Sequence, residues 1–381
     1  MRNAVAAERA TRVPFLDLKL QFSNLRAGLE ETIWPLLASA NYIEGAPVAE
    51  FEKAFADYCG ATEAVAVDSG TAALHLALLT LGVGPGDEVV VPANTFIATA
   101  AAVHVIGARP VFVDADADTW QMDLRALSKS ISKACRAVIA VHLYGQPLCM
   151  PELQKICAEK GVPLVEDAAQ AHGARFSGQR IGSFGAPACF SFYPGKNLGA
   201  FGDAGMVTTN NSELAARLRR LRNHGRVTKY EHAEVGFNYR MDALQGAVLN
   251  YKLAFLDDWN QRRRYWAGLY RERLAHLPLR MPSLIPDTEP VHHLFPVCCP
   301  ARDHLAAFLA ERSIETGVHY PVPLHLQPAF RFLGYSTSDF PVAEAIARET
   351  ISLPIFPEMT EQQFEHVCES IDDYFATVAS R

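Results

Sequence analysis

The sequence predicts an α/β fold: a large domain built on a mostly parallel seven-stranded sheet flanked by helices, followed by a smaller C-terminal α/β domain. Three observations predict this. From residue 61 onward, short runs rich in Val, Ile, Phe and Ala alternate with helical stretches, the order that builds a parallel sheet covered on both faces. The chain has 381 residues, 49% of them apolar and 20% charged, a globular composition with material for more than one core. After residue 241 the alternation gives way to a long helical pattern, a charged stretch and Pro-rich loops, which marks a domain joint.

Seven runs read as strands, at 64–67, 88–91, 110–113, 137–142, 163–165, 189–193 and 206–208. Their β-branched and aromatic side chains fit a pleated surface, and runs that are apolar throughout belong to strands buried on both sides. Helical patterns lie between them at 72–81, 97–106, 124–131 behind Asp123, 151–160, and 213–222 behind Ser212. Asp and Ser are residue types that satisfy the first free N–H groups of a helix. One long helical pattern at 242–257 then runs into the charged stretch 261–273, and Pro-rich loops follow at 278–290 and 321–328. The expected organisation is a flexible tail over residues 1–13, a large domain over 14–250 and a small domain over 251–381.

Thirty-five Lys and Arg against 42 Asp and Glu give a formal net charge of −7, and no long basic run interrupts that balance. Attraction to a phosphate backbone needs the opposite sign, so nucleic acid is not an expected partner. Eight cysteines are scattered without a CxxC pair, which points to free thiols in the cytoplasm rather than to a zinc site or a disulfide framework. Residues 1–13 include Arg2, Glu8, Arg9 and Arg12 and no apolar core, so no secretory signal is read there. No segment approaches the roughly 18 apolar residues of a membrane span.

Three local patterns carry chemistry. Asp68-Ser69-Gly70-Thr71-Ala72 lies directly after a strand and before a helix, where free N–H groups, two hydroxyls and a close-packing Gly70 can cradle a phosphate. The same residues serve as an ordinary N-cap, and the segment alone leaves both readings open. Glu166-Asp167 ends an apolar strand, and a carboxylate at the carboxyl end of a parallel strand needs a cation, either a protonated ring nitrogen or an Arg. Lys196 sits in a turn between an aromatic strand and a Gly-rich stretch, where desolvation would make its amine nucleophilic. A P-loop is excluded, because no Gly stands five positions before Gly195 and Asn197 replaces the expected Ser or Thr. Together the three patterns supply a phosphate cradle, an acid for a ring nitrogen and an amine able to form an imine, the parts that pyridoxal 5'-phosphate requires.

Longer blocks make the likeness specific. Ser69-Gly70-Thr71-Ala72-Ala73-Leu74, Thr95-Phe96-Ile97-Ala98-Thr99, Val141-His142-Leu143-Tyr144-Gly145, Glu166-Asp167-Ala168-Ala169-Gln170-Ala171-His172-Gly173-Ala174 and Lys196-Asn197-Leu198-Gly199 resemble successive blocks of the DegT family of sugar aminotransferases. Asn223-His224-Gly225, Gly236-Phe237-Asn238-Tyr239-Arg240 and His319-Tyr320-Pro321 with His325 extend the resemblance over nearly the whole chain. It implies the aspartate aminotransferase fold with pyridoxal 5'-phosphate as cofactor and Lys196 as the Schiff-base lysine and proton shuttle. It also implies Asp167 as partner of the ring nitrogen, Gln170 near the ring hydroxyl, Phe96 stacked on the ring, and Gly70, Thr71 and Ser191 on the phosphate. Asn238 would reach the phosphate of a neighbouring subunit, so a homodimer with shared sites is implied. The implied reaction moves an amino group from glutamate, or glutamine, to a nucleotide-linked keto sugar, with 3-keto favoured over 4-keto. A keto-cyclitol acceptor, or a cofactor-binding regulatory protein without turnover, are the alternatives.

Two departures from the family pattern stand out: Gly195 replaces a Thr or Ser before the lysine, and Ala204 replaces a common Gly. Arg226 and Arg240 are candidates for gripping a donor carboxylate or a diphosphate bidentately, with interface salt bridges as the other reading. Tyr320 and His325 are candidates for the sugar pocket, the other reading being packing under a Pro-rich loop. His292, His293, His319 and His325 lack accompanying carboxylate or Cys spacing, so no metal is expected. Gly82, Gly84 and Gly86 follow a helix and precede a strand, the reverse of a dinucleotide fingerprint.

Overall fold

The computed structural model describes residues 11–185 and 187–379. Its large sheet consists of β1 (Glu63–Val67), β2 (Glu88–Pro92), β3 (Arg109–Val113), β4 (Cys135–Val141), β5 (Leu164–Asp167), β6 (Ala188–Ser191) and β7 (Gly205–Thr209). Their order is β1-β7-β6-β5-β4-β2-β3. Only β7 runs antiparallel to its neighbours, and the other pairings are parallel. All seven expected runs are therefore strands of one sheet, mostly parallel. Side-chain alternation explains the burial of the central strands: on β4, Val138 and Ala140 enter the apolar cluster on one face while Ala137 and Ile139 enter that on the other.

The elements differ from expectation where tertiary contacts override local pattern. The run at 189–193 leaves the sheet after Ser191, because Phe192 N–H donates to the Ala204 carbonyl and Phe192 in turn accepts from Ala200 N–H. Asn211, not Ser212, caps the helix Ser212–Leu221, its side chain accepting from Glu213 and Leu214 N–H. The single pattern at 242–257 is two helices, Ala243–Leu253 and Leu256–Arg273. Two helices ahead of β1, Leu18–Ser39 and Ala46–Cys59, go unannounced by periodicity. The first contains Pro35 and buries only Leu25 and Leu29, so its apolar pattern is weak.

A separate apolar cluster gathers Trp266, Tyr270, Phe295, Ile351 and Phe364 around the antiparallel pair β8 (Phe295–Cys298) and β9 (Thr350–Leu353). Helix Leu256–Arg273 joins the clusters, with Leu256 in the first and Trp266 in this one. Of the expected tail, residues 1–10 lie outside the described residues, but Val13 is fully buried in this cluster and pairs with Ile314. The anchored chain thus begins before residue 14. Among the described residues, no helix is long and apolar enough to cross a membrane.

Candidate active site

The parallel strands all end on one edge of the sheet, where open α/β sheets hold ligands. Asp167 stands at the end of β5, buried. Thr99 Oγ1 donates to its Oδ2 at 2.9 Å and Ala169 N–H to its Oδ1 at 3.2 Å. Burial pushes this carboxyl above the usual carboxylate range, and the two bonds, Lys196 and His142 pull it back. Thr99 has a single proton, which goes to the carboxylate, so the Thr95 hydroxyl 3.3 Å away must donate to Thr99.

Lys196 follows β6 on a turn closed by its own N–H, which donates to the Tyr193 carbonyl at 2.8 Å. The side chain is half-buried. Burial lowers its amine to about 8, with Asp167 opposing the shift. A usable fraction is therefore neutral near physiological pH, the form that attacks an aldehyde or takes up a proton.

The turn from β1 into helix Gly70–Thr80 shows the cap and leaves room for the cradle. Ser69 does cap the helix, its Oγ accepting from Ala72 N–H at 3.1 Å. Yet the first N–H groups of the helix have no partner within it, and the geometry around them is that of a cradle. A Cβ on Gly70 would come within 2.6 Å of Ser191 Cβ at the end of β6, and a Cβ on Gly205 would overlap the Ser69 carbonyl. Only glycines let these backbones approach so closely. Thr71 is exposed and Ser191 half-buried beside them.

On the other flank, Gln170 uses both ends of its amide. Its Oε1 accepts from Tyr144 N–H at 2.6 Å and its Nε2 donates to the Tyr320 hydroxyl at 3.2 Å. The Tyr320 ring lies 5.5 Å from that of Phe96, which is 52% exposed. Burial pushes the Tyr320 phenol upward. Lys196, Asp167, Gln170, Tyr320 and Phe96 thus surround one region, with Gly70, Thr71 and Ser191 at the ends of β1 and β6.

Other expected residues stand elsewhere. Asn238 and Arg226 are exposed, on backbone paired to Asn223 and His232 respectively. Arg240 is half-buried with an unpartnered Nε, next to Tyr239, whose carbonyl accepts from Asp68 N–H. His325 is 1% exposed, 3.0 Å from Glu344 Oε1 through Nε2 and against the Phe340 ring. The packing reading holds for His325, because a ring so enclosed offers a sugar nothing. The departures are benign: a Cβ at Gly195 would meet Leu16 at 3.6 Å, so a side chain fits there, and Ala204 is buried with its carbonyl in use.

Three histidines near Lys196 went unrecognised as site residues. His172 is fully buried between Phe190 and Phe192, with neither ring nitrogen bonded. Burial, then the charge of Lys196, holds it down at about 3. The same causes hold His319 at about 4 and His293 well below the usual imidazole range. All three are neutral at physiological pH, so the wall beside the lysine adds dipoles but no charge.

A family model described as the DegT/DnrJ/EryC1/StrS aminotransferase family matches residues 26–372. The chain belongs to this family. A dTDP-3-amino-3,4,6-trideoxy-alpha-D-glucose transaminase of Streptomyces venezuelae is 47% identical over 364 residues, covering 95% of this chain and 96% of that protein. A UDP-N-acetyl-3-dehydro-alpha-D-glucosamine 3-aminotransferase of Acidithiobacillus ferrooxidans is 41% identical over 361 residues, covering 95% and 97%. The crystal structure of S. venezuelae DesV superposes with a TM-score of 0.94 at 47% identity over 95% of this chain and 98% of that one.

As a member of the DegT/DnrJ/EryC1/StrS family, the protein is an aminotransferase dependent on pyridoxal 5'-phosphate. The donor set fits that group: a glycine cradle at a helix N-terminus for an anion, a buried carboxylate for a cationic nitrogen and a half-buried amine of lowered pKa.

Proposed function

We propose that this enzyme transfers an amino group from glutamate, or glutamine, to the C3 ketone of a deoxysugar carried on a nucleotide diphosphate, in cytoplasmic amino-sugar biosynthesis. The observation that carries the reaction type is the buried Asp167 carboxylate at the end of β5 within electrostatic reach of the Lys196 amine on the turn after β6. When bound, the cofactor supplies an electron sink for the carbon that loses or gains a proton. In this reading Gly70, Thr71 and Ser191 hold its phosphate, Phe96 covers its ring, and Gln170 presents an amide whose direction Tyr144 N–H dictates. Asp167 stays ionised through Thr99 and Ala169 N–H and keeps the ring nitrogen protonated. Lys196, once free, would carry the proton from the donor's α-carbon to the bound cofactor, and in the second half-reaction from the cofactor to the sugar carbon.

The C3 assignment rests on the names of the two relatives, which share amination at position 3 while differing in nucleotide. The homodimer is supported by large apolar side chains left in solvent at Phe22, Trp34, Tyr42 and Ile43 in the N-terminal helical region and at Tyr230, the kind of exposed apolar surface that marks an interaction site. Asn238, exposed on the same chain region as Tyr230, is the residue that reading sends to the partner's phosphate. The holoenzyme should be assayed with glutamate and with glutamine against nucleotide-linked 3-keto sugars, 4-keto sugars and keto-cyclitols, products being read by mass spectrometry. Amination of 3-keto sugars is expected, and turnover confined to 4-keto sugars or cyclitols would overturn the assignment.

A further inference from the structure

Helix Leu256–Arg273 carries two buried polar residues one turn apart, Asn260 and Arg263, 1% and 3% exposed. Asn260 Nδ2 donates to the His172 carbonyl at 2.8 Å, and Asn260 Oδ1 accepts from Asn197 Nδ2 at 2.8 Å. Asn197 Nδ2 also donates to the Val291 carbonyl at 3.0 Å, and its Oδ1 lies 3.1 Å from His293 Nδ1. Carbonyls only accept, so both amide orientations are determined, and His293 must carry its proton on Nδ1. Arg263 Nη1 donates to the carbonyls of His292, His293 and Ile355. One helix face thereby ties together four segments distant in sequence: the turn after β5, the residue following Lys196, the 291–293 turn and the chain at Ile355.

The contact is close. A Cβ on Gly173, whose φ is +83°, would come within 2.8 Å of Asn260 Nδ2. Asn197 is 3% exposed and is the immediate chain neighbour of Lys196. Buried amides are costly when unpaired and rigid when fully paired. Each hydrogen-bonding atom of the two amide groups has a partner here, which holds the Asn197 peptide in one place.

We propose that Asn260 is a positioning residue for Lys196: through Asn197 it fixes the turn on which the lysine stands and the tautomer of His293 beside it. The proposal rests on the reading that Lys196 is the reacting amine. Small displacements of a reacting group cost large factors in rate.

The test compares the holoenzymes of Asn260→Leu, Asn197→Ala and the double variant, each in a single turnover with glutamate. N260L is expected to lose about tenfold in rate, with donor KM within about twofold. Because both residues act on one turn, the double variant should be no slower than N197A by more than about twofold. A second readout needs no turnover: in the chain stripped of cofactor, the titration of Lys196, followed by NMR after isotopic dimethylation and assigned by its absence in Lys196→Ala, should move in N260L. A parent rate and titration in N260L with only a lowered melting temperature would reduce Asn260 to scaffolding and overturn the proposal. Multiplicative losses in the double variant would do the same. If N260L does not fold, N197A decides, since a parent rate there refutes action through Asn197. Turnover retained in K196A would instead refute the reading beneath it.

Discussion

Replacing Thr99 with Val removes one hydroxyl of nearly unchanged shape from the buried carboxylate. Thr99 Oγ1 donates to Asp167 Oδ2 at 2.9 Å, and no other donor reaches that oxygen among the described residues. A hydrogen bond to a charged group contributes about 1.5–3 kcal/mol, and about 1.4 kcal/mol is tenfold in an equilibrium constant. The ionised form of Asp167 therefore loses ground against its protonated form, and a carboxyl already raised by burial moves further up. A protonated acid cannot hold a cationic ring nitrogen. The affinity of the stripped chain for pyridoxal 5'-phosphate, titrated by absorbance, should fall most at low pH and recover as pH rises above the shifted value. Thr99→Ser keeps the hydroxyl and should stay near the parent. An affinity within about twofold of the parent in T99V across that range would refute the claim that Thr99 holds the carboxylate charged.

The remaining predictions are shorter. Lys196→Ala should abolish transamination without unfolding the chain, since the side chain is only half-buried; melting temperature and single-turnover rate check this together. Lys196 titrates at about 8 in the folded chain against an ordinary lysine value near 10.5, so the unfolded chain binds the extra proton between those values and stability from this group rises with pH across that window. Urea midpoints measured in parent and K196A from pH 7.5 to 10.5 should diverge in that direction. Gly205→Ala places a methyl into the Ser69 carbonyl, and the strain of about 1–3 kcal/mol should lower both the melting temperature and cofactor affinity. If the chain is the proposed homodimer, Trp34→Glu, in the apolar set left in solvent, should halve the parent's mass by light scattering and lower activity with it, whereas a parent mass already that of a monomer, or one unchanged by W34E, would refute the proposed interface there.

Local chemistry was the readable part. Lys196, Asp167 and the Ser69 to Thr71 turn each announce themselves within a few residues, because a strand end, a helix start and a glycine are short-range patterns. The seven strands were legible for the same reason. His325 misleads, since nothing near it in sequence reveals that Glu344 and Phe340 enclose it. Asn211 takes the capping place assigned to Ser212 through a shift of one residue, beyond what propensity resolves. Helix Leu18–Ser39 buries two side chains and leaves Trp34 outside, so it has no strong apolar stripe to find.

From its residues alone the chain determines a parallel α/β sheet, the amine, the acid and the anion cradle, because each depends on side chains and backbone only a few positions apart. Tertiary structure decides how those parts are tuned. The lowered lysine, the Thr95 to Thr99 relay onto Asp167, the neutral histidines and the amide link from Asn260 to Asn197 join residues up to dozens of positions apart. Burial and hydrogen-bond partners at such separations exist only once the strands have been brought side by side, and it is burial and partners that set a pKa.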